Sequence, residues 1–298
     1  MTISLGSNQY GKAETHVVRI YRDTDRHEIR DLTVGSALRG DFSAAHDTGD
    51  QSDVLPTDTQ KNTAFAFAKE KGIDSPEQFA TDLARHFLTA APVATGARVE
   101  AREDAWVRIQ DHDHAFTQTG GGTRTTVVNL DGRGDDEIVQ VVSGISDLVV
   151  LKSTGSEFKG FLKDKYTTLQ ETTDRVLATS LVARWRYEAG QEIDYNGTYD
   201  AVLELMLKRF SEIHSMALQQ TLYGMGKSVL EEFPQIAEIK FSAPNKHHFL
   251  VDMTAFDVEN NNEVFYAADR PFGLIEATVV RDDSSDAGNA WHGIPGFC

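Results

Sequence analysis

Two short segments combine residue types that could bind a metal ion. In Asp111-His112-Asp113-His114, two imidazoles and two carboxylates are suitable ligands. The segment falls between two predicted strands, however, so a polar turn is favoured over a metal site. His247 and His248 are neighbours on a predicted strand, where successive side chains point to opposite faces. They therefore cannot share one ion.

Other residues with useful chemistry have ordinary structural explanations when each is taken separately. The stretch from Ser242 to His247 joins a Pro-Asn pair, an amine and an imidazole, and Pro-Asn is common in turns between strands. Thr57 is suited to the N-cap of a helix, because its hydroxyl can accept from a free backbone N–H. Surface or core positions would explain the remaining candidates, which are Lys12, Phe158, Arg175 and Gln219.

Several common catalytic and nucleotide-binding motifs are missing from the sequence. There is no GxGxxG after a strand and no P-loop, the signatures of dinucleotide and nucleoside-triphosphate binding. The HExxH and GxSxG motifs are also missing. The only cysteine is Cys298, which excludes an internal disulfide, a CxxC redox pair and a cysteine zinc cluster.

The composition is that of a globular protein with a strongly acidic balance. The 298 residues include 29 Lys and Arg against 46 Asp and Glu, for a formal net charge of −17. This charge argues against broad contact with nucleic-acid phosphates and against a polybasic membrane anchor. An anionic small molecule would need a local Arg or Lys to overcome it.

We expect the protein to lie in a bacterial cytoplasm. A single thiol needs no oxidising compartment, and residues 1–11 lack the apolar core of a signal peptide. No apolar run approaches the roughly 20 residues of a membrane-spanning helix. The chain also lacks the Ser-Lys-Leu ending that directs proteins to peroxisomes.

Strand and helix patterns divide the chain into two similar halves, each in the order β-β-α-α-β-β. Such an order predicts an α+β fold with antiparallel sheets and helices on one face. We predict one unit at 8–142, a second at 143–282 and a flexible C-terminal tail at 283–298. The predicted strands are 16–22, 28–38, 97–110, 123–130, 137–142, 147–152, 175–187, 236–242 and 248–253, and the helices are 57–72, 75–88, 199–214 and 216–233.

Helix starts and connections complete this outline. Thr57 and Gln60 have the spacing of a capping box, and Ser75 before Pro76 predicts a second helix start. The hairpin expected near the end of the chain joins 236–242 to 248–253. Residues 41–53 are polar and predict a loop.

Several short segments follow one another in a distinctive order. They are Tyr10-Gly11-Lys12, Thr57-Asp58, Lys61-Asn62, 151–154, 158–162 leading into 166–169, Asp174-Arg175 and 244–247. Their order and approximate spacing over residues 8–282 resemble the urate oxidase (uricase) family. The resemblance implies the tunnelling fold, with two tandem β-β-α-α-β-β units that assemble into a barrel-like homotetramer with active sites at subunit interfaces. It also implies that urate, O2 and water become 5-hydroxyisourate and H2O2 without a metal or organic cofactor.

The resemblance further implies roles for individual residues. Arg175 and Gln219 are similar to the pair that grips urate, a guanidinium and an amide suited to a planar oxopurine. Phe158 is similar to the ring on which the purine stacks. Leu218 would contribute its main chain and Asp58 its backbone N–H.

A second set of residues is implied to handle protons and oxygen. Lys12, Thr57 and His247 resemble the catalytic triad of the family, and Thr57 would also contact the substrate. Asn245 resembles the amide that holds O2 or water over the purine plane. A lysine whose pKa is lowered by burial, linked through a hydroxyl, can act as a base.

Two other functions stay open on the sequence. One is another tunnelling-fold enzyme that acts on a purine or pterin, such as a cyclohydrolase or an aldolase; the sequence shows no Cys/His set for the zinc that cyclohydrolases often use. The other is a purine-binding protein without catalysis, which would need Phe158, Arg175 and Gln219 but not the triad.

Overall fold

A large antiparallel sheet forms the body of the chain. The computed structural model describes residues 3–268 and 270–295. Eight of the strands in these residues belong to the sheet, namely β1 Tyr10–Tyr21, β2 Glu28–Gly40, β3 Ala94–Glu103, β6 Thr123–Asp131, β7 Ile138–Lys152, β8 Leu177–Tyr187, β9 Ile236–Pro244 and β12 Leu274–Val280. Their spatial order is β1-β2-β3-β6-β7-β8-β9-β12, so β1 and β12 form the two edges.

Two small two-stranded arms interrupt the hairpins of this sheet. They consist of β4 Trp106–Arg108 with β5 Phe116–Gln118, and of β10 His247–Leu250 with β11 Phe265–Ala268. The hairpin expected between 236–242 and 248–253 is therefore wrong. Strand β9 pairs with β8 and β12, and because a strand has only two edges, β10 cannot pair with it.

Helices cover one side of the sheet and share a contiguous hydrophobic core with it. Helix α2 packs on β1, α3 on β3 and β6, and α5 on β9 and β12, while α4 packs on α5. No helix of the described residues is both long enough and apolar enough to cross a membrane. The helices are α1 Ser43–Asp47, α2 Thr57–Glu70, α3 Pro76–Ala90, α4 Tyr195–Glu212 and α5 Leu218–Glu232.

Helix α3 begins as the sequence predicts. The hydroxyl of Ser75 accepts from the backbone N–H of Gln78 at 3.1 Å, and Pro76 occupies the first helical position. Phe79 and Leu83 lie one turn apart on the buried face. Burying side chains of this size stabilises the fold by about 1.5–3 kcal/mol each.

Strand β7 differs from the prediction of two strands at 137–142 and 147–152. One continuous strand runs from Ile138 to Lys152, and its register shifts between Ile145 and Leu148. Asp147 adopts a left-handed φ of 57° at this bulge. The bulge accommodates the residues between the two predicted strands, so that one strand continues through them. Helix α1 also lies within the predicted loop at 41–53.

The segment after β12 differs from the flexible tail that we expected at 283–298. Its described part, up to residue 295, lies against the sheet. Ala290 is fully buried and its carbonyl accepts from Asn129, while Trp291 donates its indole N–H to Glu238 at 2.9 Å. Residues 296–298, including Cys298, lie outside the described residues.

A buried polar network connects the start of α3 with the start of α4. Glu77 is fully buried and accepts from Arg124 at 2.7 Å and from the hydroxyl of Ser143 at 2.6 Å. Arg124 also donates to Asn196 at 2.8 Å, and its guanidinium lies 4.5 Å from the ring centre of Tyr199. Residues from both halves of the chain therefore depend on this one ion pair.

We expect Glu77→Ala to lower the free energy of unfolding by about 3–5 kcal/mol, because it leaves Arg124 buried without its partner. Chemical denaturation of the purified variant measures this change. The matched control is Glu212→Ala, which removes the exposed pair with Arg209 and should cost less than about 1 kcal/mol. Equal effects of the two substitutions would contradict a structural role for the network.

Candidate active site

Arg175 and Phe158 lie side by side in the long connection between β7 and β8. The guanidinium carbon of Arg175 is 5.1 Å from the centre of the Phe158 ring. The backbone N–H of Arg175 donates to the carbonyl of Ser156 at 2.9 Å, and Phe158 exchanges two backbone hydrogen bonds with Thr172. Backbone hydrogen bonds therefore hold the guanidinium of Arg175 beside the ring of Phe158, although both residues lie in a loop.

The same connection holds the start of α5. Ser215 donates its N–H to Gly155 and accepts from the N–H of Glu157, at 2.9 and 2.7 Å. Three residues later α5 begins with Leu218, which is buried, and with Gln219, which is exposed. Ala217, at the N-cap, provides no side-chain hydrogen bond, so free backbone N–H groups and the positive end of the helix dipole remain at this position.

Asn245 and His247 reach this region from the turn between β9 and β10. The N–H of Lys246 donates to Ala178 at the beginning of β8, and the hydroxyl of Thr179 donates to Pro244 at 2.9 Å. Asn245 donates its N–H to Gly273 at 2.8 Å. The first residues of β8 therefore align the 244–247 turn with Arg175, which precedes the same strand.

The positive charge of Arg175 reaches the imidazole of His247. The pKa of His247 lies below its ordinary value, mainly because the imidazole is partly buried and further because of the positive charges of Arg175 and His248. Burial also lowers the pKa of Arg175, but a guanidinium stays charged in proteins. Phe158, Arg175, Leu218, Gln219, Asn245 and His247 are called the arginine cluster below.

Lys12, Thr57 and Asp58 form a second group, the lysine cluster. Lys12 lies on β1, and Thr57 and Asp58 open α2, which packs on that strand. The pKa of Asp58 is lowered, chiefly by the hydrogen bond from Lys61 and more weakly by the charge of Lys12. Lys12 and Asp58 are therefore within electrostatic reach of each other.

The predicted capping box at the start of α2 is wrong. Pro56, with φ −54° and ψ 140°, occupies the N-cap, and Thr57 is the first helical residue. Gln60 turns inward instead of capping, because Ser36 and the carbonyl of Leu55 satisfy its amide. Thr57 is left exposed beside a cavity of about 550 Å3.

The sheet keeps the two clusters apart within one chain. Lys12 lies on edge strand β1, six strand intervals from β9, which corresponds to about 29 Å along the sheet. They also lie at opposite ends of the strands, because the register aligns the beginning of β1 with Ile236 at the beginning of β9, whereas Asn245 follows the end of β9. The chain therefore brings together two groups of predicted site residues, at diagonal corners.

Two cavities of the described residues differ in their relation to the predicted site. A cavity of about 690 Å3 is lined by Arg85, Glu137, Tyr187 and their neighbours, and by none of the predicted residues. The cavity of about 550 Å3 includes Thr57 but no member of the arginine cluster.

Potential metal ligands lie elsewhere. Within the described residues, one group of His, Asp and Glu side chains has ligand atoms within 4.8 Å of one another, namely His16, Asp31 and Asp104. Asp31 in that group is already paired with His16 and accepts from the indole of Trp106. The Asp111–His114 segment forms the polar turn that the sequence predicts, between β4 and β5.

Comparison with known proteins identifies the family. The uricase family profile matches residues 8–129 and 141–276. The chain belongs to the uricase family. It is therefore an oxidoreductase that acts on urate with oxygen, in urate degradation.

Individual relatives agree over almost the whole chain. The uricase of Arthrobacter globiformis is 54% identical over 296 residues, covering 99% of this chain and 96% of its own length. The uricase of Dictyostelium discoideum is 36% identical and covers 94% and 99%. The crystal structure of the Arthrobacter globiformis protein superposes with a TM-score of 0.93 over 98% of this chain and 99% of its own. These similarities do not support the alternatives of a cyclohydrolase, an aldolase or a non-catalytic purine-binding protein.

Sequence reasoning did not find the residues that align the two clusters. Ser156 acts through its backbone carbonyl and Thr179 through its hydroxyl, and neither residue lies in a motif that signals such a role. Gln60 did carry a signal, its spacing from Thr57, but that spacing led to the wrong local structure.

We expect Arg175→Gln to raise the pKa of His247, because a neighbouring positive charge that disfavours the imidazolium is removed. The pKa should stay below its ordinary value, since burial, the main cause, remains. NMR titration of 13C-labelled histidine measures the shift. Arg209→Gln, on the exposed face of α4, is the control, and an unchanged pKa in Arg175→Gln would contradict the proximity of the two groups.

Proposed function

We propose that the lysine cluster of one copy and the arginine cluster of a second copy together form the urate oxidase active site. The observation that carries this proposal is their separation at diagonal corners of one continuous sheet. A two-fold axis that reverses one copy end to end brings the Lys12 corner of each chain to the His247 corner of the other. One such interface generates two equivalent sites.

The same arrangement would close the sheet into a barrel. Strands β1 and β12 are unpaired on one side in the chain, and such edges favour pairing with another strand. We propose that two tandem units, 8–142 and 143–282, provide the eight strands, with a boundary inside β7, and that the copies assemble as a homotetramer. The order β1-β2-α2-α3-β3-β6 followed by β7-β8-α4-α5-β9-β12 supports the repeat. We place the enzyme in the cytoplasm, which its single cysteine permits.

In the proposed site, the arginine cluster binds and orients urate. The guanidinium of Arg175 and the amide of Gln219 hydrogen-bond two edges of the purine, and Phe158 stacks on its face. Leu218 contributes backbone at the start of α5, where the helix dipole favours an anion. Such positioning supplies much of the reduction in barrier.

The lysine cluster and His247 move protons. Bound urate loses a proton to the Lys12–Thr57 pair, and Asp58 contacts the substrate through its backbone N–H. The electron-rich purine then transfers two electrons to O2, held with water by Asn245. Water adds to the oxidised ring, which gives 5-hydroxyisourate. The reduced oxygen takes one proton back from the Lys12–Thr57 pair and one from solvent, and leaves as H2O2. His247, whose lowered pKa keeps it neutral near pH 7, relays protons between the water and Lys12.

We expect Lys12→Met or Thr57→Ala to lower kcat by about 10²–10⁴-fold, because proton transfer to a positioned base is lost. KM for urate should change less than kcat, since the arginine cluster is intact. The measurement combines urate consumption, O2 uptake and H2O2 formation, which should be equimolar in the wild type. Lys227→Met, an exposed lysine of α5, is the control, and wild-type kcat in Lys12→Met would remove this residue from the mechanism.

A shared site makes a further prediction about mixed oligomers. Lys12→Met and Arg175→Gln chains, each inactive alone, should regain up to about one quarter of wild-type activity when co-expressed with different tags. The reason is that one site in each mixed pair receives both unaltered clusters. Activity no higher than the sum of the two separate variants would show that each site lies within one chain.

A further inference from the structure

We propose that Gln60 and Ser36 are positioning residues that couple Lys12 to Thr57. The inference rests on the proposed function of these two residues. Gln60 is in the first turns of α2, three residues after Thr57, and only 1% of it is exposed. Its amide is the direct side-chain link between this helix start and the strand next to Lys12.

The link consists of three consecutive hydrogen bonds. The backbone N–H of Lys12 donates to the hydroxyl of Ser36 at 3.4 Å, and that hydroxyl donates to Oε1 of Gln60 at 2.7 Å. Nε2 of Gln60 then donates to the carbonyl of Leu55 at 3.3 Å. Lys12 and Ser36 are direct partners in the β1–β2 register, so the chain of bonds starts from a fixed point.

Gln60 holds the backbone on both sides of Thr57. Its own backbone lies after Thr57, and the carbonyl that it binds belongs to Leu55, two residues before Thr57. Pro56, at the N-cap, makes no side-chain hydrogen bond to the start of α2, and Thr57 is exposed. The Gln60 amide therefore connects the backbone on both sides of Thr57 to the strand that pairs with Lys12.

An irregularity of strand β1 lies directly after Lys12. The β1–β2 register shifts between Lys12 and Thr15, and Glu14 adopts a left-handed φ of 54° there. Next to this bulge, the hydroxyl of Ser36 accepts from the N–H of Lys12 at 3.4 Å. A catalytic pair on two different elements requires such cross-links, because displacement by about 1 Å can cost 100-fold in rate.

The test is Gln60→Leu, which keeps the size of the side chain and removes both hydrogen bonds. We expect kcat to fall about 10- to 100-fold with KM for urate changed less than about twofold, since the urate-binding cluster lies elsewhere. The pH dependence of kcat should also shift, because the base is displaced. The control is Gln78→Leu, which alters an exposed amide in the first turn of α3 and should leave kcat unchanged.

A double-mutant cycle separates this positioning role from general destabilisation. In a Lys12→Met background, Gln60→Leu should cause no further loss of kcat, because both substitutions remove the same function. Equal losses in both backgrounds would overturn the inference. So would a parallel change of kcat and KM with an unchanged pH profile.

Ser36 provides the second variant if Gln60→Leu does not fold. Ser36→Ala should lower kcat in the same way, and Ser36→Thr should restore it because the hydroxyl returns. Wild-type kcat in Ser36→Ala or Gln60→Leu would overturn the inference, while an inactive Lys12→Met would leave the proposed function intact. Wild-type kcat in Lys12→Met would instead overturn the proposed function and the inference together.

Discussion

The continuity of the antiparallel sheet is the constraint on which the rest of the molecule depends. One face of the sheet packs on the helices and forms the hydrophobic core with them, so a shift of a strand by one position would turn its core side chains to the other face. The register between β1 and β9 is therefore fixed, and so is the separation of Lys12 from His247. Neither cluster can move toward the other in one chain without the loss of strand pairing. In the proposed site, catalysis by these residues therefore requires two copies, and assembly becomes part of the active-site geometry.

Local charge at the two clusters explains how an acidic protein can attract an anionic substrate. The formal net charge is −17, yet Arg175 is a cation, and α2 and α5 each direct a positive dipole end toward their cluster. Asp58 is the acidic member of the lysine cluster. Its two carboxylate oxygens accept from Lys61 at 2.6 Å and from Asn62 at 2.9 Å, so its charge is offset by groups of its own helix.

The sequence predicted best those features that depend on neighbouring residues. The β1–β2 hairpin and the Ser75 cap of α3 follow from local alternation and from the side chain of one residue. The pairing of β9 with β12 was not predicted, because it joins strands that are separated by the β10–β11 arm. Local sequence patterns do not show whether β10 or β12 pairs with β9 at the edge of the sheet.

The same distinction applies to the candidate site. The residues of the two clusters followed from a family resemblance, whereas the contacts that align them did not. Gln60 has the spacing of a capping residue, but its side-chain oxygen accepts a hydrogen bond from the hydroxyl of Ser36, 24 positions earlier in the chain. The packing of residues 285–291 on the sheet likewise depends on partners such as Arg186 and Glu238, which are remote in sequence. A polar, glycine-containing segment looks flexible until such partners are known.

Arg175 connects substrate binding with proton transfer through a single charge. In the free site its guanidinium helps to lower the pKa of His247, which keeps the imidazole neutral but also makes it a weaker base. In the proposed complex, the negative charge of urate lies against the same guanidinium and offsets it. The pKa of His247 would then rise, so the imidazole becomes more basic when the substrate is in place. Arg175, which binds the anionic purine, would thus also make His247 a stronger base when the substrate is bound. This change needs no movement of the sheet that separates the two clusters.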